Sequence, residues 1–302
     1  MCVRGQAPCP GESRVNSDRL PGLLVALALV ASCGGKTDAP SGEAAAPAAI
    51  EDPSAPRGSL AWAAGGEWRI EKARDAHRHP VETLSFFGVR GSDTVVEISP
   101  GGGWYTAILG PYLREGGGRL YAAHLDPATS DYARANVEAF KAVFVDRPDV
   151  FGTIDLTIGS RESPGLAPDG SADVVLTFRN VHNWMAGGYA DKIFADAYRA
   201  LKPGGVLGIE EHRLPSARDQ NPAAGTGYVQ EAYVIQLAEA AGFRFDGASE
   251  INANKKDTTD HPLGVWMLPP TLRSSADGGP PPPGYDAETY RAIGESDRMT
   301  LR

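Results

Sequence analysis

Thr94-Val-Val-Glu-Ile-Ser-Pro-Gly-Gly-Gly-Trp-Tyr105 decides how this chain folds. The apolar run Thr94 to Ile98 stops at the breakers Pro100 to Gly103, the pattern of a buried strand running into a tight turn. A second such run, Gly118-Arg-Leu-Tyr-Ala-Ala123, follows the turn Glu115-Gly-Gly-Gly118. A parallel pair needs a crossover, and Trp104 to Leu113 is the only stretch between the runs long enough to be its helix. Glycines at the end of the first strand let a ligand approach the backbone closely. Beside them, Glu97 can accept bonds from a cationic or hydroxylated group.

The alternation continues downstream. Tyr132, Val137, Phe140, Val143 and Phe144 lie near one helical face, Ile154 to Ile158 reads as a third strand, and Asp173 to Phe178 as a fourth. Ile193, Phe194, Ala197, Tyr198 and Leu201 repeat at helical spacing, with closure at Pro203-Gly-Gly205 and a fifth strand from Val206 to Glu210. Val229, Tyr233, Leu237 and Ala240 mark a helix stopped by Gly242. Phe243 to Ala248 is a sixth strand and Met299 to Arg302 a seventh. Strands alternating with helices predict a doubly wound α/β sheet in a single domain over 60–302, with ligands at the carboxyl ends of its strands. Ser274 to Gly284, with Pro280 to Pro283, reads as an exposed Pro-rich loop.

Composition narrows the partners. A formal charge of -9 over 302 residues argues against a nucleic-acid surface, which needs clustered Lys and Arg, and favours a small molecule. Cys2, Cys9 and Cys33 are the only thiols, so residues beyond 33 hold none for a disulfide, zinc cluster or nucleophile. Leu20 to Val30, preceded by Arg14 and Arg19, is an apolar run too short to span a bilayer and reads as a secretory leader. Val30-Ala31-Ser32-Cys33 resembles a bacterial lipobox, implying cleavage before Cys33 and its acylation. Gly34 in place of Asp implies the outer membrane. Lipidated Cys33 is then the chain's one membrane contact, and the small-residue and proline mixture of 34–59 is a tether.

Asp126, 23 residues after Gly103, stands where a ribose diol is gripped. A dinucleotide fingerprint would place its third glycine at 106, which is Thr106, and that weighs against NAD. The set resembles class I S-adenosylmethionine-dependent methyltransferases: Val95 to Gly103 for the first motif, Asp126 for the ribose acid, Pro168 to Leu176 leading into strand four, and Leu201-Lys-Pro-Gly-Gly205 before strand five. Arg78-His-Pro80, Phe86-Phe-Gly88, Arg179-Asn-Val-His-Asn-Trp184 and His261-Pro-Leu-Gly-Val-Trp266 look like a family of exported bacterial proteins described as predicted methyltransferases. The resemblance implies a seven-stranded sheet whose last strand is antiparallel, and S-adenosylmethionine as cofactor. It places Glu97, Ser99, Pro100, Gly101, Gly102, Gly103, Asp126, Arg179 and Asn180 around that cofactor, with Trp104 and Tyr105 capping the pocket. The acid that many members carry after strand three is replaced by Ile158-Gly-Ser160, leaving Ser160 or Glu162 as substitutes.

Methyl transfer to oxygen or nitrogen needs an aligned nucleophile and a base. His182, just past strand four, is the first candidate; Glu211 and His212, after strand five, are the second. On a strand Glu210-Glu-His212 alternates faces, so only Glu210 and His212 point together and no metal site is expected. Arg74 to His79 reads as a polar helical segment, either a solvated face or a cover for the pocket. The alternative to an enzyme is a noncatalytic exported module holding a small ligand in the same pocket. Oligomeric state is not legible in the residues.

Overall fold

The computed structural model describes residues 55–302; the leader, the lipobox Cys33 and the tether as far as residue 54 lie outside the described residues. Helix α1 (Leu60–Gly65), a 3₁₀ turn (Lys72–Arg74), α2 (Asp75–Arg78) and α3 (Pro80–Phe86) precede β1 (Thr94–Ile98). Then come α4 (Thr106–Gly116), β2 (Arg119–His124), α5 (Asp131–Phe140), α6 (Pro148–Phe151), β3 (Ile154–Ile158) and β4 (Ala172–Phe178). The rest is α7 (Val181–Gly187), α8 (Ala190–Ala200), β5 (Leu201–Leu214), β6 (Val229–Gln230), α9 (Glu231–Ala240), β7 (Ala248–Ser249), α10 (Ala287–Ile293) and β8 (Arg298–Leu301). The sheet runs β3-β2-β1-β4-β5-β8-β7, with β6 paired to β5 off this path. β1 to β5 are parallel to one another, and β8 is antiparallel to both β5 and β7.

Continuous apolar strands are what a sheet covered on both faces demands. Val95 packs with Ile108, Leu109, Val174 and Leu176 on one face. Its neighbour Val96 packs with Val175, Ile193, Phe194 and Met299 on the other. Between these layers β1, β4 and β5 lie side by side: Ile98 is opposite Thr177, and Phe178 opposite Glu210. Their carboxyl ends therefore form one row at the middle of the sheet.

Four elements depart from expectation. β5 begins at Leu201, because Pro203-Gly-Gly205 enters the strand irregularly, with Gly204 at φ +80 and a register shift between Ala172 and Val174, instead of closing a turn. It also runs on to Leu214. The sixth strand shrinks to Ala248–Ser249, Phe245 of the expected run being exposed. α5 runs into a π turn at Lys141–Val145; Phe140 and Phe144 are buried, whereas Val143 in that turn and Tyr132 in the first turn of α5 are exposed. In α9 the fully buried residue is Val234, and Val229 belongs to β6.

Candidate functional site

The turn after β1 carries left-handed backbone at Ser99 (φ 52), Gly101 (φ 59) and Gly103 (φ 79). A Cβ on Gly103 would sit 2.2 Å from the Phe144 ring, so only glycine fits there. A Cβ on Gly101 or Gly102 would meet nothing within 4 Å, so this part of the loop faces open space. Ser99 N–H donates to the Ala123 carbonyl (2.8 Å), and Gly103 N–H closes the turn on the Pro100 carbonyl (3.0 Å).

Glu97 is buried beneath this loop and accepts from the Thr106 hydroxyl at 2.6 Å. Burial pushes its pKa up to about 7, against the opposing pull of the Thr106 bond and Arg179. β2 ends at His124, whose Nδ1 accepts from Leu125 N–H (2.8 Å); the Nε2–H therefore donates to the Gly101 carbonyl (3.1 Å) and pins the loop. Asp126 lies two residues further on, its Oδ1 accepting from Ala128 N–H at 2.9 Å as a turn cap. After β3, the Ser160 carbonyl accepts from Ser163.

Asn180 holds strand tips together: its amide donates to the carbonyls of Ile98 (3.2 Å), Ser99 (3.3 Å) and Phe178 (3.2 Å). Arg179 (φ 60) reaches Glu210 at 3.1 Å. Tyr105 does not cap a pocket. It lies in the core with its ring stacked on Phe178 and its hydroxyl donating to Glu210 at 3.0 Å, because the first turn of α4 directs it under the sheet tips. Trp104 is half-buried with the guanidiniums of Arg69 and Arg78 over its ring, at 4.9 and 4.7 Å, and its Nε1–H has no partner among the described residues. The polar segment ahead of β1 is not a solvated face. Arg78 is buried and, with Arg74 and Arg298, converges on Glu295; burial and nearby Arg179 lower its pKa to about 9.

His182, Glu211 and His212 come together. Glu211 accepts from Val181 N–H (2.6 Å), His212 N–H (2.8 Å) and His182 Nδ1–H (2.9 Å), so in the neutral His182 ring Nε2 is the nitrogen that carries the free lone pair. One ligand-type atom from each of the three lies within 4.8 Å of the others. The expectation that only Glu210 and His212 point together is thus overturned. Alternation sends Glu210 to the arginines, and the Glu211 side chain folds back on the start of α7, bringing it to both histidines. His212 Nδ1 lies 2.6 Å from Ser296 Oγ; burial, then His182 and three arginines, push its pKa far down and keep the ring neutral. Trp266 and Tyr228 flank the pair, 6.2 Å from the His182 ring and 6.3 Å from the His212 ring.

Sequence reasoning missed His124, Glu295, Ser296 and Arg298. His124 was visible as the last residue of an apolar strand, one position before the break at Leu125-Asp-Pro127. The others come from a segment far along the chain whose place only the antiparallel β8 reveals. A cavity of about 630 Å³ opens elsewhere, around the start of β5 against α8 and α9, and holds none of the expected residues.

Residues 96–209 match the family model described as a methyltransferase domain. The matched span runs from β1 into β5 and includes the glycine loop, Asn180 and His182; Glu211 and His212 lie just past it. No curated protein matches the chain. Solved structures similar to it include a SAM-dependent methyltransferase from Aquifex aeolicus (19% identity, 60% of this chain and 88% of that one, TM-score 0.44). Others are the [4+2]-cyclase SpnF (16%, 61% and 63%, 0.47) and the glycopeptide N-methyltransferase MtfA complexed with S-adenosylmethionine (14%, 74% and 85%, 0.43).

The family match supports S-adenosylmethionine as the cofactor, and the strand tips fit one end of that molecule. Gly101 and Gly102 face free space, Glu97 offers a carboxylate below them, and the Trp104 N–H lacks an acceptor beside them. At the adenine end Gly159-Ser160 follow β3 directly, and the first carboxylate beyond them is Glu162.

Proposed function

We propose that this chain transfers a methyl group from S-adenosylmethionine to an oxygen or nitrogen of a small molecule, at a cleft over the carboxyl ends of β1, β4 and β5. What carries the reading is the His182–Glu211 pair at 2.9 Å, at the tip of the strand pair that Asn180 ties to the glycine loop. The cofactor supplies a methyl carbon already activated by its sulfonium. Glu97 and the Gly101–Gly102 backbone would hold its methionine and ribose part, with Asp126 at the ribose hydroxyls. Glu211 fixes the His182 ring with Nδ1 protonated, so Nε2 takes the acceptor's proton as the carbon–oxygen or carbon–nitrogen bond forms. Trp266 and Tyr228 supply an aromatic wall for the acceptor.

The leader and Val30-Ala31-Ser32-Cys33 support a further part of the reading, that the chain is exported and held at the outer membrane through lipidated Cys33. The test is calorimetric titration of the full chain with S-adenosylmethionine and with NAD, then a labelled-methyl screen over hydroxyl and amine acceptors. Micromolar binding of the sulfonium compound that is lost in a Glu97→Ala, Asp126→Ala double variant is the expected result. Binding of neither ligand would overturn the proposal.

A further inference from the structure

We propose that His182, Glu211 and His212 form a binding site for one divalent first-row transition ion, a two-histidine, one-carboxylate set between α7 and β5. The argument needs neither cofactor nor acceptor. Ligand atoms about 2.0–2.2 Å from a common ion lie roughly 3 to 3.5 Å from one another. His182 Nδ1 and Glu211 Oε1 stand 2.9 Å apart across a proton that an ion would displace, and His182, Glu211 and His212 each offer one ligand-type atom within 4.8 Å of the other two. The difference between 4.8 Å and that spacing is about an ångström of side-chain movement.

The surroundings suit an ion. His182 and Glu211 are buried, and the His212 ring has a partner outside the ligand set, Ser296, that fixes it. Outer partners of this type orient metal-bound histidines. The donor set of two imidazoles and one carboxylate favours zinc, iron, cobalt or manganese over calcium or magnesium. Three protein ligands leave coordination positions free for water or an acceptor oxygen. The buried histidine–carboxylate pair His261 with Asp257 is no rival: Asp257 already accepts from Tyr228 OH, Thr259 N–H, Asp297 N–H and His261, and among the described residues no third ligand joins it.

The experiment strips the full chain with a chelator, dialyses it against Co²⁺ or Zn²⁺, and counts bound metal while the visible Co²⁺ bands are recorded. One equivalent per chain is expected. His212→Ala and Glu211→Gln should each weaken it by more than the roughly 10- to 100-fold that loss of an outer partner costs, and Ser296→Ala by an amount inside that range. His77→Gln, on the segment ahead of β1, should leave the affinity unchanged. Absence of binding to the wild type, or binding that survives in both ligand variants, overturns the site. Where a variant fails to fold, Co²⁺-induced shifts of imidazole resonances in the wild type decide instead: two rings shifted supports the site, and none or one refutes it. Methyl transfer by metal-free protein would leave this result standing, and metal binding without cofactor binding would refute only the methyl-transfer reading.

Discussion

Glu210 and Glu211 are neighbours in the chain and both are fully buried, yet they live in different chemistry. Glu210 accepts from Tyr105 OH and faces Arg179 at 3.1 Å and Arg298 at 3.3 Å. Burial alone would raise its pKa, but Arg298, Arg179 and Arg78 hold it below the ordinary value. Glu211 meets backbone N–H groups and one imidazole. At neutral pH the arginines around Glu210 keep their protons and the Tyr105 phenol keeps its own, so these partners hold the carboxylate in place. A histidine can give up its proton, so the partner of Glu211 can act. Strand alternation separates the two roles: one carboxylate ties Tyr105 ahead of α4 and Arg179 after β4 to Arg298 of β8, and the next orients the proposed base.

The sharpest way to break this contrast is kinetic. His182→Ala should lower the methyl-transfer rate by about 10²- to 10⁴-fold with folding retained, the range of a lost general base. Glu211→Gln should lower it less, because the ring stays in place with its proton arrangement disturbed. Steady-state rates beside circular-dichroism melts check both. A rate unchanged in His182→Ala would remove the base assignment. The mirror experiment is Glu210→Gln, expected to cost about 3–5 kcal/mol of stability because buried guanidiniums lose a counter-charge. Denaturant unfolding reads it, and a loss below about 1 kcal/mol would mean that Glu295 alone neutralises the cluster.

Glu97 sharpens the comparison as a further buried carboxylate whose hydrogen-bond donor, among the described residues, is the Thr106 hydroxyl. Its folded pKa, about 7, lies above the unfolded value near 4.5. Between these limits the folded chain binds more protons than the unfolded chain, so stability falls as pH rises through the window. Glu97→Gln should therefore melt with the wild type at pH 4 and above it at pH 8, by at most about 3 kcal/mol in the absence of cofactor. The same variant should lose affinity for S-adenosylmethionine. Melting curves from pH 4 to 8 with and without ligand test both halves; a gap that shrinks with pH would refute the assignment.

How much of this was legible follows from range. The strands β1 to β4 and the glycine loop are local patterns, and apolar runs with Pro and Gly breaks placed them to within a residue or two. The Glu210 network was not readable, because Arg78, Arg179, Glu295 and Arg298 meet only through an antiparallel strand at the far end of the chain. Local reading also misjudged Tyr105, whose direction depends on the first turn of α4. It misjudged Glu211 as well: alternation fixes where a Cβ points, and a long side chain can still fold back onto the start of a helix.

Asp126 and His124 give the smallest effect and the finest distinction. The sequence spacing favours Asp126 as the ribose acid, but its carboxylate is engaged with Ala128 N–H two residues past the strand, whereas buried His124 ends β2 and holds the Gly101 carbonyl. If the cofactor's hydroxyls reach Asp126, the carboxylate must serve both the cap and the ligand, which two oxygens allow. Asp126→Asn keeps the cap and removes the charge; it should cost less than about 0.5 kcal/mol in stability and lower cofactor affinity severalfold. His124→Gln should loosen the glycine loop and act mainly on the entropy of binding. Calorimetry separates them: an affinity unchanged in Asp126→Asn and reduced in His124→Gln would assign Asp126 to the turn alone and make the strand-end histidine the group that shapes the cofactor cleft.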